Sequence, residues 1–88
     1  MNARVKITKV SGKPTSHISV GHWITGITSF PIMPYDPLVL DRPITTKGNE
    51  HFDWFKTSPV QKVETVSANE FMVNTTNSVW RLEIIQKL

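Results

Sequence analysis

The chain contains no cysteine, and this absence removes two classes of small protein at once. A disulfide framework cannot form, and neither can a zinc site held by thiolates. Small secreted domains usually need such cross-links, because a chain of 88 residues buries only about 60–65% of the surface that it exposes when unfolded. We therefore expect a single domain in a reducing cytoplasm, with a thin core that depends on its large side chains.

Long apolar runs and catalytic motifs are missing as well. The N-terminus alternates charged and apolar residues, which is not the pattern of a signal peptide, and no run approaches the roughly 18 apolar residues of a membrane helix. The sequence has no nucleophile elbow, no His-Glu-x-x-His motif and no glycine-rich phosphate loop. We predict a protein that is not an enzyme, needs no cofactor and has no membrane partner.

Three histidines, His17, His22 and His51, are the remaining candidates for metal chemistry. His51 and Asp53 fall on one side of a strand, and His22 could join them after folding. Strand alternation produces such pairs by chance, however. We interpret these histidines as surface or half-buried residues and predict no metal site.

Short runs of β-prone residues separated by polar turns predict an all-β fold. The last 33 residues contain three such runs with two turns between them, the pattern of an antiparallel meander. Alternation places apolar side chains on one face of the first run (Val5, Ile7) and of the last run (Trp80, Leu82, Ile84). We predict one domain, residues 1–88, with five or six antiparallel strands in a small barrel or rolled sheet, SH3-like or OB-like.

Residues 31–51 interrupt this pattern, because four prolines stand among apolar residues. Proline removes a backbone donor, which forbids a helix and disfavours a central strand. The segment is nevertheless too apolar for a solvated linker. We predict a long ordered loop, which either covers a small core as a lid or binds a partner.

Two motifs in the C-terminal half carry a resemblance. Thr57-Ser58-Pro59-Val60 is followed by Val63, and the chain then closes with Asn77-Ser78-Val79-Trp80-Arg81-Leu82-Glu83. This pattern over residues 57–83 resembles small uncharacterised β-domain proteins encoded by phages and other mobile elements. The resemblance implies a compact β domain of viral or mobile-element origin, and it implies no activity.

The favoured function is a non-catalytic binding module that modulates or inhibits a host protein. Met, Tyr and Arg are enriched at interface cores, and prolines lower the entropic cost of holding a loop in place. The predicted protein-binding residues are Met33, Tyr35, Arg42 and Trp54. An exposed edge strand could also pair with a second copy to form a homodimer.

The alternative function is weak, sequence-independent binding of nucleic acid. Residues 1–13 carry a net charge of +4, so the rest of the chain carries −1 of the total of +3. A tryptophan such as Trp23 or Trp54 could stack on a base beside this basic segment. The predicted phosphate-binding residues are Arg4, Lys6, Lys9 and Lys13. Lysines that protect an exposed edge strand from aggregation would explain the same residues.

Overall fold

The computed structural model describes residues 1–13, 18–45 and 54–88, which form six β-strands. The strands are β1 (Asn2–Gly12), β2 (Trp23–Ser29), β3 (Pro37–Thr45), β4 (Trp54–Ser67), β5 (Glu70–Thr75) and β6 (Ser78–Lys87). Strands that are consecutive in the sequence pair in antiparallel orientation, and β6 also pairs with β1, so the sheet closes into a barrel. This confirms the predicted all-β fold. The described residues contain no helix, and hence none that could cross a membrane.

The core lies inside the barrel and follows the alternation of the sequence. In β1, Ala3, Val5 and Ile7 are fully buried, while Arg4, between Ala3 and Val5, faces outward. In β6, Trp80 and Leu82 are buried as predicted. The buried apolar residues are Ala3, Val5, Ile7, Ile18, Ile24, Leu38, Leu40, Val60, Val73, Trp80 and Leu82.

The proline-rich segment is more regular than the sequence suggested. Residues 37–45 form β3, so the predicted loop over residues 31–51 is wrong for this stretch, and residues 46–51 lie outside the described part of the chain. Pro37 begins the strand, and Pro43 lies in a β-bulge, the two kinds of position at which a missing donor is tolerated. Leu40 is fully buried, so the segment contributes to the core.

The first strand is not an edge strand. It pairs with β2 on one side and with β6 on the other, from Ala3 to Gly12. All six described strands have two neighbours in the closed ring, so none of them is a free end strand, and the homodimer through an edge strand stays a prediction. The basic residues of β1 therefore do not serve to protect a sheet edge.

Candidate functional site

The ladder between β2 and β3 ends early and leaves a gap in the barrel wall. Register pairs join Ile24 to Thr45, Thr25 to Ile44 and Ile27 to Asp41, and no pair follows along the rest of β2. Between the last two pairs β3 advances by three residues and β2 by two, which is a β-bulge.

Arg42 lies in this bulge with a φ of 53°, in the left-handed region that bulges often use. A bulge bends its strand and increases the local twist. Beyond it, β2 and β3 separate instead of continuing their ladder.

Gly26 explains why the two strands can touch on one side of the gap. A Cβ atom at this position would lie 2.9 Å from the Leu40 Cβ atom and 3.0 Å from the Asp41 carbonyl oxygen. Only a residue without a side chain allows this approach. The strands are therefore packed tightly at the bulge and diverge immediately after it.

The divergence creates a cavity of about 350 Å³, which we call the β2–β3 groove. Its lining includes Ile27, Ser29, Met33, Asp36, Val39 and Asp41. Two carboxylates are the only charged side chains among the described residues that line it. The groove thus combines an apolar surface with local negative charge, in a chain whose net charge is +3.

Residues 31–36, the irregular segment that remains of the predicted loop, border this groove together with the preceding residue 30 just after the end of β2. The segment is fastened to β4 by two backbone hydrogen bonds: the Tyr35 N–H donates to the Val60 carbonyl oxygen at 2.7 Å, and the Val60 N–H donates to the Asp36 carbonyl oxygen at 2.9 Å. Tyr35 has a φ of 72° and is 80% exposed, and Met33 is 54% exposed. A fixed backbone therefore presents both side chains to solvent.

The backbone of β3 also faces the groove. The Leu38 N–H donates to the Thr57 hydroxyl oxygen at 3.0 Å and thus points toward β4. Successive residues of a strand direct their N–H and C=O groups to opposite sides. The backbone groups of Val39 therefore point toward β2, at a position where β2 provides no register partner.

The outer face of β3 and β4 continues from the far end of the groove. Asp41 pairs with Trp54, and Val39 pairs with Lys56. Trp54 is more than half exposed, and the Lys56 Nζ lies 5.8 Å from the centroid of its ring, a cation–π contact. Arg42 is also exposed, next to Asp41 in the chain.

The four predicted protein-binding residues are all exposed, but only some of them meet. Met33 lines the β2–β3 groove, and Trp54 and Arg42 lie beside its end at Asp41. Tyr35 belongs to the adjoining segment without lining the groove. Sequence reasoning missed Asp41 and Val39, which stood inside the supposed loop. Their alternation with Leu38 and Leu40 is the signal that could have identified a strand.

Of the four predicted phosphate-binding residues, Arg4 and Lys6 face outward from β1, and Lys13 is exposed beyond the end of that strand. The Lys6 Nζ lies 5.4 Å from the centroid of the Trp23 ring. Trp23 precedes the buried Ile24 in β2 and so faces outward as well. The structure thus brings a basic strand and a tryptophan together on the outer surface.

The prediction that Lys9 binds phosphate is wrong, because its side chain points into the barrel. Only 1% of its surface is exposed, and its Nζ donates hydrogen bonds to the carbonyl oxygens of Lys13 and Ile18, the latter at 3.1 Å. Lys9 lies two residues after Ile7, so strand alternation directs its side chain to the same inner face as those of Val5 and Ile7. A buried ammonium group requires such acceptors, and carbonyl oxygens close to this end of the barrel provide them.

Most of the residues considered for a metal site, His17, His51 and Asp53, lie outside the described part of the chain. His22 is half-buried just before β2, and its backbone N–H donates to the Ser19 carbonyl oxygen. Within residues 1–13, 18–45 and 54–88 no cluster of His, Asp and Glu side chains could hold a metal ion.

Part of the positive charge of β4 and β6 is paired on the surface. The Lys62 Nζ lies 2.7 Å from a Glu64 carboxylate oxygen, and the hydrogen bond and charge of Glu64 raise the pKa of Lys62. The Arg81 Nε lies 4.0 Å from a carboxylate oxygen of Glu83. These pairs limit the basic surface to a smaller area than the count of cations suggests.

No protein-family model, curated protein sequence or solved structure matches this chain. The resemblance of residues 57–83 to phage and mobile-element proteins therefore stays a prediction.

Proposed function

We propose that this protein is a non-catalytic binding module that holds an extended segment of another protein in the β2–β3 groove. The observation that carries the proposal is the early end of the β2–β3 ladder at the pair Ile27–Asp41. Beyond this pair, the backbone groups of Val39 face a gap instead of a neighbouring strand. An added strand can use such groups, and its main-chain hydrogen bonds would supply affinity.

Side chains around the gap give the groove its specificity. Ile27, Met33 and Val39 form an apolar surface, and Met33 and Val39 are about half exposed in the unbound protein. Residues 30–36 are already ordered by their hydrogen bonds to β4, which lowers the entropic cost of binding. An exposed, preorganised apolar surface of this kind is typical of interaction sites.

The charge of the groove indicates the composition of the segment. Asp36 and Asp41 line it, so a segment with Lys or Arg beside apolar residues complements it, and an acidic segment is repelled. Since the chain as a whole is basic, this preference arises from the groove itself and not from net charge.

The resemblance of residues 57–83 to phage and mobile-element proteins supports a host-cell protein in the cytoplasm as the partner. The mode of action that fits a domain without catalytic motifs is steric blockade of the surface from which the bound segment comes. Tyr35, Arg42 and Trp54 are exposed around the groove and extend the contact area.

The test is a pair of matched double variants in an affinity capture from nuclease-treated host lysate. Met33→Glu with Val39→Glu places two charges in the groove, at positions that are 54% and 44% exposed. Val20→Glu with Val66→Glu places the same charges at residues that are 54% and 55% exposed and do not line it. We expect the wild type and the second variant to retain one stoichiometric protein, and the groove variant to lose it.

Hydrogen exchange of the complex provides a second measurement. Because the Val39 N–H faces the gap, partner binding is expected to slow its exchange strongly while leaving surface amides of β5 unchanged. A partner that stays bound to the groove variant, or that leaves Val39 exchange unchanged, places the contact elsewhere.

Nucleic-acid binding is the second candidate, favoured by the Lys6–Trp23 contact on the outer face of the barrel. Basic grooves with stacking aromatics bind single strands without sequence preference. With Lys9 buried, only Arg4, Lys6 and Lys13 of the predicted set can reach phosphates. Three contacts give a slope of about −2 for the logarithm of affinity against the logarithm of salt concentration.

Fluorescence anisotropy of labelled oligo-dT in 50 mM and 200 mM salt separates the two candidates. If nucleic acid is the partner, Lys6→Gln and Trp23→Ala weaken binding, whereas the groove variant does not. If oligo-dT fails to bind at the lower salt concentration, this candidate is eliminated.

A further inference from the structure

A second cavity, also of about 350 Å³, opens at one end of the barrel and is lined mainly by apolar side chains. We call it the end pocket. It lies between the start of β1, the end of β2, the turn from β4 to β5, and the end of β6. Its walls include Phe30, Ile32, Val63, Phe71, Ile84 and Lys87. It is separate from the β2–β3 groove, although Pro31 and Ile32 line both.

The end pocket is lined by most of the half-buried apolar residues that pack against the core. In the described part of the chain six partly buried hydrophobic side chains do so, and five of them line this pocket; Phe55 is the sixth. Each of the five thus contacts the core on one side and an open space on the other. The barrel interior is closed by side chains, but its apolar surface continues outward into the pocket.

Two of these side chains form an aromatic wall. The ring centroids of Phe30 and Phe71 lie 5.9 Å apart, with planes tilted by 41°. This spacing is in the range of favourable aromatic pairs, so each ring holds the other in position. The pocket is therefore bounded by side chains whose orientation is fixed before a ligand enters.

Lys87 is the only charged side chain among the described residues that line the pocket, and it is exposed at the rim. Met1 also lines the pocket, and its terminal ammonium group donates to the Phe30 carbonyl oxygen at 3.3 Å. An apolar cavity with these cations at its edge matches a ligand that has an apolar body and a single anionic head group. A volume near the lower end of the range for small-molecule sites admits one alkyl chain or one ring system.

We propose that the end pocket binds a small amphipathic carboxylate, with the alkyl or aromatic body against Phe30 and Phe71 and the carboxylate at Lys87. The head group remains partly in water, because Lys87 is exposed, so most of the affinity comes from the apolar body. This site is independent of the partner protein proposed above.

Titration calorimetry with three ligands that share a ten-carbon chain tests the proposal. Decanoate, decanol and decyltrimethylammonium are compared below their micelle concentrations. We expect decanoate to bind about two- to fivefold more tightly than decanol, the range for an exposed ion pair, and the ammonium compound to bind most weakly. Shortening decanoate to octanoate is expected to weaken binding about fifteenfold, since each buried methylene contributes a factor of about four.

Two variants locate the site. Ala68→Phe at the exposed turn between β4 and β5 places a ring in the pocket, and we expect it to abolish decanoate binding. Lys87→Gln is expected to reduce the preference for decanoate over decanol without weakening decanol. Lys62→Gln, which removes an exposed lysine outside the pocket, is the matched control and is expected to leave all three affinities unchanged.

Several outcomes would overturn the proposal. One is equal affinity of the wild type for all three head groups, and another is unchanged decanoate binding in folded Ala68→Phe. Should Ala68→Phe fail to fold, the Lys87→Gln comparison alone decides, because that substitution is on the surface. If the protein does not bind decanoate but sediments with phosphatidylglycerol vesicles, its apolar end contacts a membrane surface instead.

Discussion

Trp80 offers the sharpest test of how this small core is stabilised. Its side chain is 97% buried, and its ring contacts the Phe55 ring edge-on, with centroids 6.0 Å apart. Its Nε1–H is buried as well, and it has no hydrogen-bond partner among the described residues. The same side chain therefore combines a favourable apolar contact with a buried polar group that no described residue pairs.

Two substitutions at this position separate the two effects. Trp80→Ala removes the ring and leaves a cavity, which costs about 3–5 kcal/mol of unfolding free energy. Trp80→Phe loses part of the ring but keeps an aromatic contact with Phe55, and it removes an N–H whose burial costs about 1–3 kcal/mol. These contributions nearly cancel, so we expect Trp80→Phe to lie within about 1 kcal/mol of the wild type.

Guanidinium unfolding at 25 °C, followed by far-ultraviolet circular dichroism, measures both values. A domain of this size has a total stability of about 4–13 kcal/mol, so Trp80→Ala leaves a marginally folded or unfolded chain. Trp54→Phe, at a tryptophan that is 57% exposed, is the control and is expected to change stability by less than about 0.5 kcal/mol. A Phe variant that loses as much stability as the Ala variant would refute the reasoning, because the indole N–H would then contribute favourably.

Two further predictions concern backbone conformation. Gly12 has a φ of 134°, and a Cβ atom there would lie 2.5 Å from the Asn77 carbonyl oxygen. Gly12→Ala is therefore expected to lower the free energy of unfolding by about 2–4 kcal/mol in the same assay. A decrease below about 1 kcal/mol would contradict this close approach. Tyr35 and Arg42 have positive φ values, which cost about 1–2 kcal/mol each. Replacing either with glycine is expected to leave stability equal or up to about 1 kcal/mol higher, because the greater freedom of unfolded glycine offsets part of the gain. A clear loss of stability at Tyr35 would mean that its ring packs against the protein.

The core faces of the first and last strands could be predicted from the sequence, because period-two alternation is a local property. Val5 and Ile7 in β1, and Trp80 and Leu82 in β6, are buried as their spacing indicated. Lys9 was misjudged for a related reason. Its position predicts an inward side chain, but its charge suggested the surface, and the carbonyl oxygens that accept its hydrogen bonds come from residues whose location depends on the whole fold.

The candidate site was harder to predict, because it depends on how β2 and β3 pair. The bulge at Arg42 and the close approach at Gly26 arise from the register of two strands. Strand register depends on which faces become buried when the strands pack and on the geometry of the connecting loop. The proline content led to the wrong prediction of a loop for residues 37–45, because a strand accepts proline at its first residue and at a bulge. Met33 and Tyr35 are exposed, as a binding role requires, but the groove beside Met33 was not predicted.

Closure of the barrel makes the gap between β2 and β3 informative. A closed sheet satisfies the backbone groups of each strand from both sides, and β1 shows this along nearly its full length. Extending the β2–β3 ladder past Ile27 and Asp41 would pair further backbone groups. Stability alone therefore favours a longer ladder than the one present. This open stretch, with two carboxylates and half-exposed apolar side chains around it, is therefore the place at which we propose that another protein supplies a strand.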